Sequence, residues 1–273
     1  MLLLDGRKTR EALLPELMIK VKAFSVPPKL AIIQVGDRED STAYIRAKKT
    51  FADKLGIGEV HIQLPENTFE KDLLDEIKKC NEDADITGII LQLPIPARIN
   101  RDIAVDAIDP AKDVDRITST NVKLWQENKG LLPATSRGIK ELLKYYDISL
   151  SGKKVTVIGR SALVGTPIAA MCRNEGAVVT VCHSKTIDIK KETLGADIVI
   201  SAVGKPALVG REYVREGQVV IDVGISRGED GKLHGDADFD AIKDVVSAIT
   251  PVPGGVGPMT VFALFENLVD ISS

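Results

Sequence analysis

Short, unbroken runs of Val, Ile and Leu recur along this chain, and segments of helical period fill the intervals between them. The strand candidates are Leu30–Val35, Val60–Leu64, Ile86–Leu93, Val155–Ile158, Val178–Cys182, Ile198–Ala202 and Val219–Val223. A strand that is apolar on both faces belongs inside a parallel sheet covered by helices, and the intervals have the length that a crossover helix needs. The alternation therefore predicts an α/β fold. With 273 residues the chain exceeds most single cores. The rhythm breaks in two places: Asp109–Asn121, and the run Thr250-Pro-Val-Pro-Gly-Gly-Val-Gly-Pro258. These breaks predict two lobes with a cleft between them. One spans residues 1–120 and is completed by a C-terminal helix at 258–273; the other spans 121–257.

The second lobe opens on Val155-Thr-Val-Ile-Gly-Arg-Ser-Ala-Leu-Val-Gly165, a strand that turns on glycine into a helix. Such a turn aims backbone N–H groups and the positive end of the helix dipole at an anion, the arrangement of a Rossmann-like dinucleotide site. The spelling departs from G-x-G-x-x-G: Ser161 replaces the middle glycine and Gly165 comes one residue late. An NAD site places an acid about 20 residues on, at the ribose 2′-hydroxyl. Here the second strand ends in His183-Ser184-Lys185-Thr186, and the first acid is Asp188. A cation and hydroxyls in place of the acid, with Arg160 in the turn as a second cation, favour a 2′-phosphate and hence NADP. Taken singly, Lys185 also fits a solvated loop.

Net charge is −3, so there is no basic field to hold nucleic acid or an anionic membrane. Leu2–Leu4 is far shorter than a signal core, and no apolar run approaches a membrane span. Cys80, Cys172 and Cys182 form no C-x-x-C and no Cys/His ligand spacing, which suits reduced thiols in a cytoplasm and gives no metal site.

In the first lobe, Asp40–Leu55 is predicted as a helix, with Asp40 or Ser41 as N-cap and Gly56 as its stop. Its apolar stripe runs through Phe51, Ala52 and Leu55, and helical spacing places Lys48 and Tyr44 on the same stripe. A lysine aimed at a sheet loses solvent, its pKa falls, and it becomes a proton-transfer group near neutral pH. The same position also allows a lysine whose stem packs while its head reaches water. Gln92 interrupts Ile89-Ile-Leu-Gln-Leu-Pro94 near a strand's C-terminal end, where open α/β sheets bind ligands. A buried amide needs partners, and Lys48, a substrate or backbone would each serve. Asp115 has the carboxylate to accept two hydrogen bonds from an amino-heterocycle edge, while Asp113 equally fits a turn cap.

Together Asp40-Ser-x-x-Tyr44-x-x-x-Lys48, Leu91-Gln-Leu-Pro-Ile-Pro96, Lys112-Asp-Val-Asp115, Gly159-Arg-Ser-x-x-Val-Gly165 and Thr250-Pro-Val-Pro-Gly-Gly-Val-Gly-Pro-Met-Thr260 are similar, in order, to the bifunctional methylenetetrahydrofolate dehydrogenase/methenyltetrahydrofolate cyclohydrolases. The resemblance implies an NADP-dependent enzyme with Lys48 as catalytic lysine and Tyr44 stacked on the folate's aminobenzoyl ring. It implies that Gln92 positions Lys48, that Asp115 grips the pterin, and that Pro253-Gly254-Gly255 closes the folate site. Arg160, Ser161 and Ser184 would hold NADP phosphates, alongside Gly159, Val164, Gly165 and His183 of the same segments, and Ile225 would contact the nicotinamide half. It further implies tetrahydrofolate derivatives as substrates and a homodimer built through the nucleotide lobe. Two other readings are a dehydrogenase without the hydrolytic step, against which intact Lys48 and Gln92 and the lack of an acid at His183–Thr186 argue, and an idle NADP- or folate-binding sensor, against which intact Lys48 and Asp115 argue.

The chain departs from the pattern at three places. Arg116-Ile-Thr-Ser119 stands for Gly-Phe-His-Pro, Pro133-Ala-Thr-Ser-Arg-Gly138 for Pro-Cys-Thr-Pro-x-Gly, and Thr166 for a lysine.

Overall fold

The computed structural model describes residues 1–228 and 231–273, with the side chain of Asp40 outside the described set. The elements run β1 (Leu2–Leu3), α1 (Gly6–Lys22), β2 (Lys29–Val35), α2 (Glu39–Leu55), β3 (Gly58–Leu64), α3 (Glu70–Glu82), β4 (Gly88–Leu91), α4 (Arg101–Asp106), α5 (Ser119–Gln126) and α6 (Ala134–Tyr145). They continue with β5 (Lys154–Ile158), α7 (Gly165–Asn174), β6 (Val178–Cys182), α8 (Ile189–Leu194), β7 (Ile198–Ser201), β8 (Val219–Asp222), β9 (Ser226–Arg227), β10 (Leu233–His234), α9 (Phe239–Ile242), β11 (Ala248–Ile249) and α10 (Val256–Ile271). Every strand expected from the sequence is present. The two compact units are Leu13–Ala134 with Val261–Ser273, and Met1–Ala12 with Thr135–Thr260.

The first unit carries a parallel three-stranded sheet, β3-β2-β4. Alternation along the strands sorts its two faces. Ala31, Ile33, Val35, Ile89 and Leu91 pack with Leu73, Ile77 and Cys80 of α3 and Ala104 and Val105 of α4. On the other parity, Gly88 sits so close to its neighbours that a Cβ would meet Val114 and Leu268 side chains at 2.4 and 2.5 Å. Phe51 of α2 stacks edge-on against Phe262 and Phe265 of α10, centroids 6.3 and 5.4 Å apart. Gln92 shares the parity of Gly88 and Ile90, so its side chain is on the α2 side of the sheet.

The second unit is a parallel six-stranded sheet, β1-β11-β8-β7-β5-β6, with a separate antiparallel pair β9–β10. Strand order reverses between β5 and β7, the switch point beside which doubly wound sheets bind ligands. Among the described residues no helix is long and apolar enough to cross a membrane.

The units divide at 134/135, not at 120/121. Helix α5 stays with the three-stranded unit because Asp113 Oδ2 accepts from Thr118 N (2.8 Å) and Asn121 Nδ2 (2.9 Å), and Trp125 Nε1 donates to the Arg116 carbonyl (3.2 Å). The first twelve residues join the six-stranded unit because Leu2 and Leu3 pair in parallel with Ala248 and Ile249. Helix α2 begins one residue early. Arg38 holds the cap position without a side-chain hydrogen bond, so neither Asp40 nor Ser41 is its N-cap, while Gly56 ends it at φ 72° as expected.

Candidate active site

Lys48 lies in the middle of α2 and is 9% exposed. Its Nζ donates to Gln92 Oε1 at 3.0 Å, and Gln92 Nε2 donates to the Leu93 carbonyl at 2.8 Å, so the amide presents its oxygen to the lysine. The Gln92 backbone N–H continues the ladder to the Ile33 carbonyl (2.8 Å), which locks the amide's base to the sheet. Burial pulls the Lys48 pKa below 10.5, and Asp115 resists that pull. Burial pushes the Asp115 carboxyl up from 3.8; Lys48 opposes this and Asp113 adds to it. Each group is thus driven toward its neutral form by its surroundings and toward its charged form by the other. Tyr44, one turn before Lys48, is 43% exposed and presents an aromatic face.

The remainder of Lys112-Asp-Val-Asp115 is scaffold. Lys112 Nζ donates to the carbonyls of Cys80, Asn81 and Asp83 at the end of α3, and Asp113 holds the first turn of α5. Arg116 follows at φ 58°, in the left-handed region where glycine is free of strain and an L-residue loses about 1–2 kcal/mol. The side chain that stands in place of the family's glycine is buried, and its Nε has no hydrogen-bond partner among the described residues. The buried guanidinium donates from Nη1 to the carbonyls of Pro110 and Asp113, both at 3.3 Å.

In the six-stranded unit the turn after β5 is closed by two glycines. Gly159 has φ 116°, and a Cβ on it would meet the Ala202 carbonyl oxygen at 2.4 Å; one on Gly165 would meet the Gly159 oxygen at 2.3 Å. Arg160 and Ser161 are exposed, and Val164 holds the cap position of α7 without a side-chain bond. The expected row of unpaired N–H groups is shorter than the sequence suggests. Gly165 N donates to Ser161 Oγ (3.3 Å), Thr166 N to the Ser161 carbonyl (3.0 Å), and Pro167 has no N–H.

After β6, His183 Nδ1 accepts from Lys185 N at 3.1 Å, which ties the ring back onto its own turn. The two cations expected of this region, Arg160 and Lys185, are both exposed. Ser184 is exposed. Asp188, the first acid, is the N-cap of α8, its Oδ1 accepting from Lys191 N at 3.0 Å. Ile225, after β8, is 37% exposed. The glycine cradle, the exposed Arg160 and Ser161 and the missing acid fit NADP.

Three features escaped the sequence reading. Gly6 N and Arg7 N both donate to the Gly254 carbonyl (3.0 and 3.2 Å), which docks the Pro253-Gly254-Gly255 turn on the first turn of α1. Asp222, the last residue of β8, and Asp236, two residues past β10, are buried carboxylates. An acid inside an apolar run, as in Val219–Val223, was the available signal for Asp222; Gly6 had none.

A model of the tetrahydrofolate dehydrogenase/cyclohydrolase catalytic domain matches residues 4–115, and one of the same family's NAD(P)-binding domain matches 133–273. The chain belongs to the tetrahydrofolate dehydrogenase/cyclohydrolase family. Among curated members, the bifunctional protein FolD of Lactococcus lactis subsp. lactis (strain IL1403) is 44% identical, covering 99% of this chain and 97% of its own length. The solved FolD methylenetetrahydrofolate dehydrogenase/cyclohydrolase of Campylobacter jejuni superposes with a TM-score of 0.96 at 41% identity, covering 100% of this chain and 98% of its own. The Trypanosoma brucei family member, solved with NADP and an inhibitor, superposes with a TM-score of 0.93 at 36% identity, covering 98% and 95%. In family terms the matched catalytic domain contains Tyr44, Lys48, Gln92 and Asp115, and the matched NAD(P) domain contains both glycines of the turn.

Proposed function

We propose that this chain oxidises 5,10-methylenetetrahydrofolate to the 5,10-methenyl form with NADP and then hydrolyses the methenyl form to 10-formyltetrahydrofolate. The observation that carries the second activity is the buried Lys48–Gln92 hydrogen bond, with Asp115 electrostatically coupled to the same lysine. NADP supplies the hydride acceptor for the first step. Arg160, Ser161 and Ser184 hold its phosphates, Gly159, Val164 and Gly165 shape the turn beneath them, and Ile225 contacts the nicotinamide half.

Asp115 binds the pterin's amino edge and Tyr44 stacks on the aminobenzoyl ring. Pro253, Gly254 and Gly255 contribute backbone to the folate. In the hydrolytic step water adds to the methenyl carbon and gives one proton to Lys48 Nζ; Nζ then returns that proton to N5 as the bond between N5 and the carbon breaks, while the remaining hydroxyl proton leaves to solvent as the formyl C=O forms on N10. Gln92 Oε1 aims Nζ throughout. Burial shifts Lys48 toward its neutral form, the form that accepting this proton requires.

The chain acts as a homodimer joined through the nucleotide unit. Val178, an apolar side chain 65% exposed on the edge strand β6, gives a second copy a surface to cover. Three free cysteines suit a reducing cytoplasm.

The decisive measurement follows methenyl absorbance with 5,10-methylenetetrahydrofolate as substrate and NADP or NAD supplied in turn. Methenyl should form with NADP and decay faster than without enzyme. Methenyl that decays no faster removes the cyclohydrolase, and equal rates with NAD remove the 2′-phosphate reading. Gly159→Ala provides a separate check. Its methyl group has no room against the Ala202 carbonyl, so the NADP KM should rise about tenfold or more, equivalent to at least about 1.4 kcal/mol, while hydrolysis of supplied methenyl persists.

A further inference from the structure

Two carboxylates of the six-stranded unit lie outside the roles given above. Asp222, 3% exposed at the end of β8, accepts from Gly224 N (3.1 Å) and Asp236 N (3.0 Å) on Oδ1 and from Ala237 N (2.8 Å) on Oδ2. Asp236, fully buried, accepts from Ser201 Oγ (2.9 Å) and Val203 N (2.8 Å) on Oδ2 and from Lys205 N (2.7 Å) on Oδ1. The partners of both are backbone N–H groups and one hydroxyl. Two carboxylates buried on such partners cost desolvation, and a purely structural join is made more economically by apolar packing.

Their contacts cross. A Cβ on Gly224 would meet Asp236 Oδ1 at 2.0 Å, and a Cβ on Gly235 would meet Asp222 Oδ2 at 2.0 Å, so each carboxylate lies directly beneath the loop that the other's segment carries. The pair thereby ties three strand-end segments together: 201–205 after β7, 222–225 after β8 and 235–237. Asp222 N also donates to Thr250 Oγ1 (2.7 Å), just before Pro251–Pro253, and Val223 N to the Ser201 carbonyl (2.8 Å). Ile225 stands one residue beyond the glycine pressed on Asp236. The Ala202 carbonyl, which bars a side chain at Gly159, lies between two of the residues that Asp236 holds.

We propose that Asp222 and Asp236 are positioning residues for hydride transfer, which fix the Gly224–Ile225 loop and with it the depth and tilt of the nicotinamide. This rests on the reading that Ile225 faces the nicotinamide half. Hydride transfer is sensitive to small misplacement, whereas attachment of the cofactor's phosphates depends on the Gly159 turn and its cations. The two effects are separable.

The test uses the full-length enzyme with three variants. Asp222→Asn replaces an acceptor oxygen by an NH₂ that faces backbone N–H groups, so the loop shifts. Dehydrogenase kcat should fall about 10–100-fold with the NADP KM changed less than about threefold, and hydrolysis of supplied methenyl should stay within about twofold. Equal loss of both activities, or a dehydrogenase kcat within about twofold of the parent's, overturns the proposal. Should Asp222→Asn not fold, Ser201→Ala decides, because it removes a single donor to Asp236. A fall of about threefold or more in the dehydrogenase-to-cyclohydrolase ratio supports the proposal, and an unchanged ratio overturns it. Ile225→Ala separates the two layers. If it leaves dehydrogenase kcat untouched, the nicotinamide reading fails; if it lowers kcat while the aspartate variants do not, only the positioning role fails.

Discussion

Replacing Lys48 by methionine is expected to lower cyclohydrolase turnover by about 10²–10⁴-fold, the range that general acid–base groups supply. Methionine keeps an unbranched stem of similar length beside Phe51 and Ala52, so the packing of α2 survives and the loss is chemical. Hydride transfer needs no obligatory proton acceptor, so dehydrogenase activity should fall much less. A pH profile sharpens the test. Burial places the Lys48 ionisation below 10.5, so activity that depends on neutral Nζ rises as pH climbs through that lowered ionisation. Lys48→Arg keeps a charge that no accessible pH removes and should show no such rise. Full cyclohydrolase activity in Lys48→Met, measured as decay of supplied methenyl, would falsify the assignment of this lysine.

Lys48 could be found from sequence because its location depends on one helix and one period. Phe51, Ala52 and Leu55 are buried, and the spacing that aligns Lys48 with them is local. Gln92 was legible for the same reason: its parity with Ile90 needs only the strand. What the sequence withheld is long-range or conformational. Strand β1 is two exposed leucines whose pairing partner, β11, lies at the far end of the chain, so no periodicity marks either. Arg38 caps α2 with no side-chain bond and leaves no cap signature. Arg116 adopts a backbone conformation that its residue type disguises. The donors at the start of α7 looked unpaired because a glycine turn implies it, yet Ser161 folds back to take two of them. The sequence offers Asp113 as a turn cap but not what it caps; that depends on α5, which presents Thr118 N and Asn121 Nδ2 to its carboxylate.

Gly6→Ala is expected to give the largest loss of stability and to disable the folate turn with it. A Cβ at Gly6 would lie 1.8 Å from the Gly255 carbonyl oxygen and 2.8 Å from its carbon. Both are backbone atoms, so no rotamer change makes room; either α1 or the Pro253–Gly255 turn must move. Two hydrogen bonds resist, from Gly6 N and Arg7 N to the Gly254 carbonyl, and Gly254 itself sits at φ 118°, where few other conformations reach the same path. Overpacking of this kind costs about 3 kcal/mol. For a unit of this size that lowers Tm by roughly 6–12 °C. Because the turn is also assigned to the folate, the KM for methylenetetrahydrofolate should rise while NADP binding persists. Gly56→Ala is the control: Gly56 has φ 72° but open space around its Cβ, so it carries backbone strain of about 1 kcal/mol and no collision. The difference between the two variants isolates the contact with Gly255. Equal Tm shifts and unchanged folate KM in both would mean that the turn yields freely to α1, and the role given to Pro253, Gly254 and Gly255 would then fall.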